Sequence, residues 1–283
     1  MNTFISIERD EEGQKKAAFT GEGAYHGASN KEKIALSTLG EKTKFELFEA
    51  FFANVCEIKA QLPVPTAAEI RDDKTSFVWA LFADALAKAG PLTKRVLTEI
   101  APLLKGDKKN VYVDSKIQFF EWGDLPVDSQ LWHIDGSKVL RGEAANAHGY
   151  TLLHDMEATC YTHSNADSDA HGDAQNLSPD NYWAYQSSSH CATEFMVEPQ
   201  RFMLPKYIEN FKILDQIVAA TTAKRMAQPA GSIVHFTGNS LHKAVPASAA
   251  GWRLWVRVLE TDKEIKLSQN IIECYGTVFK PFS

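Results

Sequence analysis

The feature that most constrains the fold is a change of pattern near residue 105. From about residue 110 onward the chain contains short runs rich in β-branched and aromatic residues, separated by clusters of turn-forming residues. These runs are NVYVDSKIQFFEW, LWHID, YTLLHDMEATCYT, GSIVHF and WRLWVRVLE. We therefore expect residues 109–283 to form a β core. One helix is expected within it, around Lys206 to Thr221, because apolar residues there share a face.

Residues 1–108 predict a mostly helical layer instead. Between residues 31 and 105 apolar residues recur with the period of a helix. A second helical segment, SFVWALFADALAKAG, is stopped by Gly90 and Pro91. No repeat or low-complexity linker separates the two parts. The sequence therefore favours one domain over residues 1–283, of the mainly β (α+β) class, with the helical layer packed on the β core.

The composition limits the classes of partner. The chain has 283 residues with 44% hydrophobic content, which is enough to bury a sizeable core. A net charge of -6 provides no field that would attract nucleic acid or an anionic membrane surface. No apolar run approaches the roughly 18 residues of a spanning helix, and the amino terminus does not resemble a signal peptide. We expect a soluble, cytoplasmic protein whose four widely spaced cysteines are reduced thiols.

A polar stretch at residues 162–180 predicts a long surface loop, and loops of this length are often active-site lids. Its segment beginning at Asp167 imitates the start of a calcium loop. Ser178 stands where such a loop has its closing glutamate, so a calcium site is disfavoured. The histidines between residues 148 and 190 match no compact ligand spacing, which favours solvated or lid histidines over a second metal site.

The best candidates for metal ligands are two histidines and one aspartate. His133 and Asp135 stand two apart in a strand-like run, so their side chains are expected to project to the same side. His242, which follows a Gly-Asn turn, is the best third ligand. Two imidazoles and one carboxylate on one face of an octahedral ion leave open positions that suit non-haem iron(II) and oxygen, whereas zinc prefers a tetrahedral site. His235, seven residues before His242, is the other candidate for this third ligand, but its place inside the strand favours a packed core histidine.

Two arginines follow the distal histidine. Arg253 and Arg257 are four residues apart in WRLWVRV, on the same face of a strand as Trp255. The guanidinium fork matches a carboxylate, and no acidic partner is obvious nearby, so this pair predicts anionic ligands. Trp252 and Trp255 are candidates for a substrate pocket, but large residues alternating along a strand are usually core.

The ordered set of His133, Asp135, His242 and Arg253 resembles the Fe(II)/2-oxoglutarate-dependent dioxygenase superfamily, whose fold is a double-stranded β-helix (jelly roll). The resemblance covers roughly residues 110–260, where HxD, a glycine turn, the distal histidine, a proline and the basic residue occur in that order. It implies that the first three residues hold Fe(II) and that Arg253 pairs with 2-oxoglutarate, with O2 as the other cosubstrate. The presence of aspartate at 135 disfavours the halogenases of the superfamily.

The same resemblance implies further roles. Thr151 is expected to offer a hydroxyl to the cosubstrate, and Trp255 to line the substrate site. Arg257 has a spacing similar to that in taurine-dioxygenase-like members, so it is expected to meet an anionic substrate or a second cosubstrate oxygen. The implied activity is hydroxylation, or another oxidation of a C–H bond, of a small or medium-sized soluble metabolite, with release of succinate and CO2. Two alternatives stay open: a cupin-type metal oxygenase that does not use 2-oxoglutarate, and a non-catalytic jelly-roll binding protein.

Overall fold

The structure is a computed structural model of the chain. It describes whole residues over 50–74, 76–127, 130–135, 180–204, 212–262 and 264–265, and the backbone alone of strand residues 3–9, 15–20, 33–36, 45–49, 151–152, 205 and 207–208. Every strand pairing in these ranges is antiparallel and the helices are few and short, so the fold belongs to the α+β class, as expected. None of the described helices has the length and apolar character needed to cross a membrane.

The elements are numbered here along the chain. The helices are α1 (Ala67–Asp73), α2 (Phe82–Lys88), α3 (Pro91–Ile100) with a following 3-10 turn (Ala101–Leu103), and α4 (Lys212–Ala219). The strands are β1 (Thr3–Arg9), β2 (Lys15–Thr20), β3 (Lys33–Leu36), β4 (Phe45–Phe52), β5 (Cys56–Gln61), β6 (Ala80–Leu81), β7 (Asn110–Phe120), β8 (Thr151–Leu152), β9 (Asn181–Gln186), β10 (Thr193–Met196), β11 (Gln200–Pro205), β12 (Tyr207–Ile208), β13 (Arg225–Ala227), β14 (Ser232–Thr237), β15 (His242–Ala244) and β16 (Gly251–Thr261).

The chain forms two compact units. The first comprises residues 1–52, 137–177 and 200–222, and the second comprises residues 53–136, 178–199 and 223–283. The organisation of residues 1–283 as one domain stays a prediction. So does the lid loop at 162–180, which lies outside the described residues except for Asp180.

The first unit contains a five-stranded sheet in the order β11-β4-β2-β1-β3, and the short pair β8–β12. The helix predicted from residue 31 is therefore wrong over β3, β4 and β5. The physical reason is long-range pairing: β4 is rich in phenylalanine, which suits a pleated surface, and it pairs along its length with the distant β11. Near the end of this pair the rings of Phe52 and Phe202 lie 5.7 Å apart. The helix predicted around 206–221 is confirmed in its second half by α4.

The second unit is built on a six-stranded sheet in the order β5-β14-β9-β16-β7-β6. One face of this sheet packs on α1, α2 and α3, so helices are confirmed at residues 67–73, 82–88 and 91–103, whereas residues 80–81 of the predicted helical segment form strand β6. Alternate residues of β16 (Leu254, Val256 and Val258) enter this core together with Val96 and Leu97 of α3. Trp252 packs against the same core, 5.3 Å from the ring of Phe119, so it is a packing residue rather than a pocket residue.

The predicted end of a helix before Gly90 and Pro91 is confirmed, because α2 ends at Lys88. The next helix, α3, begins at Pro91. The carboxylate of Asp73 accepts hydrogen bonds from the backbone N–H groups of Leu92 (2.6 Å) and Thr93 (3.1 Å). A Cβ at position 90 would lie 2.2 Å from the Asp73 carbonyl oxygen, so only glycine fits there.

The other face of the six-stranded sheet is directed toward a three-stranded sheet, β13-β10-β15. Tyr182 and Phe236 from the large sheet form a buried aromatic cluster with Phe195 of β10, and Phe195 lies 5.2 Å from Phe236. The residues of β16 that alternate with its helix-facing set, including Arg253 and Arg257, project from this inner face. The space between the two sheets is therefore where the predicted site residues are to be sought.

Candidate metal centre

Backbone pairing brings the two predicted histidine ligands together. The N–H of His133 donates to the carbonyl of His242, and the reverse bond forms as well, both at 3.0 Å. Residues opposite each other in an antiparallel bridge project to the same side, and the two imidazole centroids lie 4.5 Å apart. This bridge replaces the strand predicted for LWHID, because no other residue of 130–135 belongs to a strand ladder.

The segment before His242 is fixed from both sides. The turn predicted at Gly238-Asn239 is present and is closed by a hydrogen bond from Ser240 N–H to the Thr237 carbonyl (2.9 Å). Ahead of His242, the Leu241 N–H donates to the side-chain oxygen of Asn54 (2.9 Å). Residue 242 therefore enters the bridge with a backbone that its neighbours hold in place.

Both rings use the same nitrogen, Nδ1, to hydrogen-bond to the backbone. Nδ1 of His133 donates to the Leu131 carbonyl (2.8 Å), and Nδ1 of His242 donates to the Ser240 carbonyl (2.9 Å). A carbonyl can only accept, so each Nδ1 carries a proton, and Nε2 is the nitrogen of each ring that could bind a metal. Each residue of the set His133, Asp135 and His242 offers one ligand atom, and these atoms all lie within 4.8 Å of one another.

The charges at this cluster suit a cation. Burial lowers the pKa of His133 to about 4, so its imidazole is neutral at pH 7. Burial alone would raise the pKa of the Asp135 carboxyl, but the Arg257 guanidinium and His242 hold it well below its usual range. Oδ2 of Asp135 lies 3.5 Å from Nε2 of His242. The cluster thus offers two imidazole rings beside an ionised carboxylate, which are donors for a divalent metal ion.

Arg253 is a buried cation with little to neutralise it. Only 3% of the residue is exposed, and its Nη1 donates to the Cys191 thiol at 3.8 Å. Its Nε has no hydrogen-bond partner, and no carboxylate pairs with the guanidinium among the residues that the structure describes. Burial lowers the pKa of Arg253. A buried charge is costly unless it is paired, so this guanidinium is suited to an anionic ligand.

Arg257 is different, and the expectation that it lacks an acidic partner is wrong. Its Nη1 donates to Asp135 Oδ2 at 2.6 Å, and its Nη2 donates to Asp114 Oδ2 at 3.3 Å. Asp114 lies directly opposite Arg257 in the β7–β16 ladder. Asp114 is not among the residues predicted from the sequence. A polar residue at the inward parity of β7, alternating with the core residue Val113, is the signal that would have found it.

The other predicted residues are placed as follows. Trp255 projects from the same face as the two arginines, with its ring centroid 5.2 Å from the Arg257 guanidinium. His235 is 3% exposed and hydrogen-bonds to Asn181, which confirms a core role. Thr151 lies in β8, opposite Ile208 in the first unit, and its side chain is outside the described part of the chain, so its role stays a prediction.

Two of the four cysteines, Cys56 and Cys191, are free thiols, as expected, and the other two lie outside the described residues. No protein family, no curated protein and no solved structure matches this chain. Function is therefore inferred from the geometry of His133, Asp135, His242 and the two arginines.

Proposed function

We propose that this chain is an Fe(II)- and 2-oxoglutarate-dependent oxygenase that hydroxylates a C–H bond of a small or medium-sized metabolite. The observation that carries the proposal is the convergence of three ligand atoms, from His133, Asp135 and His242, within 4.8 Å. His242 is remote from the other two in sequence, and an antiparallel bridge brings it to them. The superfamily resemblance requires the same three residue types in this order.

The arrangement of the two sheets of the second unit supports a double-stranded β-helix core. In a jelly roll, two antiparallel sheets face each other and neighbouring strands are often distant in sequence. Here β16 lies between β7 and β9, and β15 lies beside β10 in the facing sheet. The aromatic cluster of Phe195, Phe236 and Tyr182 fills the space between the sheets.

The donor set fits iron(II) better than zinc. Two imidazole nitrogens and one carboxylate oxygen are the donor set of non-haem iron oxygenases, whereas zinc prefers a tetrahedral site. The Nδ1 bonds to the backbone carbonyls of Leu131 and Ser240 leave Nε2 as the nitrogen of each ring that would bind the metal. When bound, iron(II) with 2-oxoglutarate and O2 supplies the oxidant for C–H cleavage, with release of succinate and CO2.

The residues of the chain provide binding, orientation and exclusion of water. Arg253 would pair with the far carboxylate of 2-oxoglutarate, which supplies the anion that this buried guanidinium lacks among the described residues. A cupin-type oxygenase that does not use 2-oxoglutarate would have no use for that charge. The rings of Phe195 and Phe236 lie 5.6 and 5.1 Å from the His242 ring and keep one side of the site apolar.

The proposal is tested by release of succinate from 2-oxoglutarate. Purified chain with Fe(II) is incubated with 2-oxoglutarate and members of a metabolite library, and succinate is measured against a reaction without metabolite. We expect slow release without metabolite, stimulation by the true substrate class, and loss of both in His242→Ala. A chain that releases no succinate under any of these conditions would refute the proposal and favour a non-catalytic binding protein.

A further inference from the structure

We propose that Asp114 and Arg257 are positioning residues of the metal centre, in which Asp114 holds the guanidinium and the guanidinium fixes the Asp135 carboxylate toward the two imidazoles. This inference rests on the proposed metal site. It assigns Arg257 to the protein's own carboxylates rather than to an anionic substrate.

The first support is the arrangement of the hydrogen bonds that Arg257 makes. Arg257 donates from Nη1 to Asp135 and from Nη2 to Asp114, so one planar fork spans both carboxylates. Its contact to Asp135 falls on Oδ2, and so does the contact of His242. The hydrogen bonds of Asp135 to residues in the described ranges fall on Oδ2, so a metal bound at Oδ1 would displace none of them.

The second support is the enclosure of the Arg257 guanidinium by aromatic rings. Three aromatic rings surround it, with centroids at 5.1 Å (Trp79), 5.2 Å (Trp255) and 5.8 Å (Tyr182). Trp79 adopts a left-handed backbone conformation, with φ of 51°, which is unfavourable for a bulky residue and persists only where the surroundings hold it. The enclosed guanidinium of Arg257 is therefore suited to fix the position of the Asp135 carboxylate.

The third support is the balance of charge. A divalent ion beside Arg257 would place three positive charges against the single carboxylate of Asp135. Asp114 adds a second carboxylate on the far side of the guanidinium and reduces this excess. Residues that orient a metal ligand typically change metal affinity by about 10-fold to 100-fold when they are lost.

The test is binding of Co(II) alone to the full chain, followed by its visible absorption, which reports the geometry around the ion. The variants are Asp114→Asn, which keeps the shape, and Arg257→Lys, which keeps the charge but loses the fork. We expect each to bind Co(II) about tenfold more weakly and to change the absorption spectrum. The matched control is Asp262→Asn, which removes the exposed carboxylate partner of Lys108 just beyond β16 and should bind Co(II) as the parent does.

The outcomes separate the two proposals. If the parent chain binds no Co(II), the metal site and this inference fail together. If the parent binds Co(II) and both variants bind it equally tightly with the same spectrum, this inference alone is overturned. Should Arg257→Lys not fold, the isosteric Asp114→Asn decides the matter by itself, since unchanged affinity and spectrum in that variant refute the role of Asp114.

Discussion

Arg253 and Arg257 lie four residues apart on the same face of β16, yet their surroundings differ sharply. The guanidinium of Arg257 meets two carboxylates and three aromatic rings. The guanidinium of Arg253 is more deeply buried and meets a thiol, with no carboxylate among the described residues. Two arginines on one face of a strand can therefore have different partners. Arg257 pairs with carboxylates of the protein, whereas Arg253 has no carboxylate partner among the described residues.

The largest effect is expected from Arg257→Leu. This change leaves two partly buried carboxylates, Asp114 and Asp135, without their common cation, and removing one partner of a buried pair costs about 3 to 5 kcal/mol. Urea-induced unfolding measures the loss. The control is Arg71→Leu, because Arg71 forms an exposed ion pair with Asp72 and its loss should cost about 0.5 kcal/mol. Equal losses in the two variants would contradict a stabilising role for Arg257.

The next effect concerns binding rather than stability. We expect Arg253→Leu to weaken 2-oxoglutarate binding by about 2 to 5 kcal/mol, because the diacid loses its charge partner, while iron binding stays intact. Calorimetric titration of the iron-loaded chain with 2-oxoglutarate measures this change. The free energy of unfolding of the apoprotein should stay equal or increase, because a buried charge without a carboxylate partner is removed. Unchanged affinity for 2-oxoglutarate would favour the cupin-type alternative.

A smaller effect is expected from Trp255→Leu. The ring contributes a cation–π contact to Arg257, worth about 0.5 to 1 kcal/mol at a partly exposed site. A double-mutant cycle with Arg257→Leu, which removes the cation, isolates this contribution from the loss of apolar area. Trp252→Leu is the matched control, since Trp252 packs on the opposite face of the same strand. A coupling energy near zero for Trp255, or an equal one for Trp252, would exclude this contact as a stabilising element.

The smallest expected effect is a change in the pKa of His190 when Arg253 is replaced. Burial lowers the pKa of His190, and the positive charge of Arg253 lowers it further. In Arg253→Leu the imidazolium loses a repelling neighbour, so the pKa of His190 should rise. The chemical shift of its ring C–H, followed by NMR against pH, reports the change, and Arg257→Lys should leave it unaltered. An unchanged titration would mean that the Arg253 charge is already neutralised.

Local patterns in the sequence were sufficient for much of the second unit. The strands β7, β14 and β16 and the core position of His235 were predicted because alternation along a strand is visible in a short segment. The three candidate ligands were predicted from residue type and order, and the structure places their ligand atoms within 4.8 Å of one another.

Features that depend on distant pairing were not predictable in this way. In β4 the dense apolar residues fit a helix and a strand equally well, and pairing with β11 decides the outcome. The environment of Arg257 is a similar case, because the register between β7 and β16 alone sets Asp114 opposite it. An isolated bridge such as that of His133 leaves no periodic trace in the sequence at all.

The proton on each ligand histidine is directed by main-chain oxygen atoms, those of Leu131 and Ser240. Every amino acid carries such an oxygen, so substitutions at residues 131 and 240 that keep the backbone in place also keep the ring tautomers. Under the proposed function, the side chains around the site could therefore change to suit another substrate while both imidazoles keep their orientation.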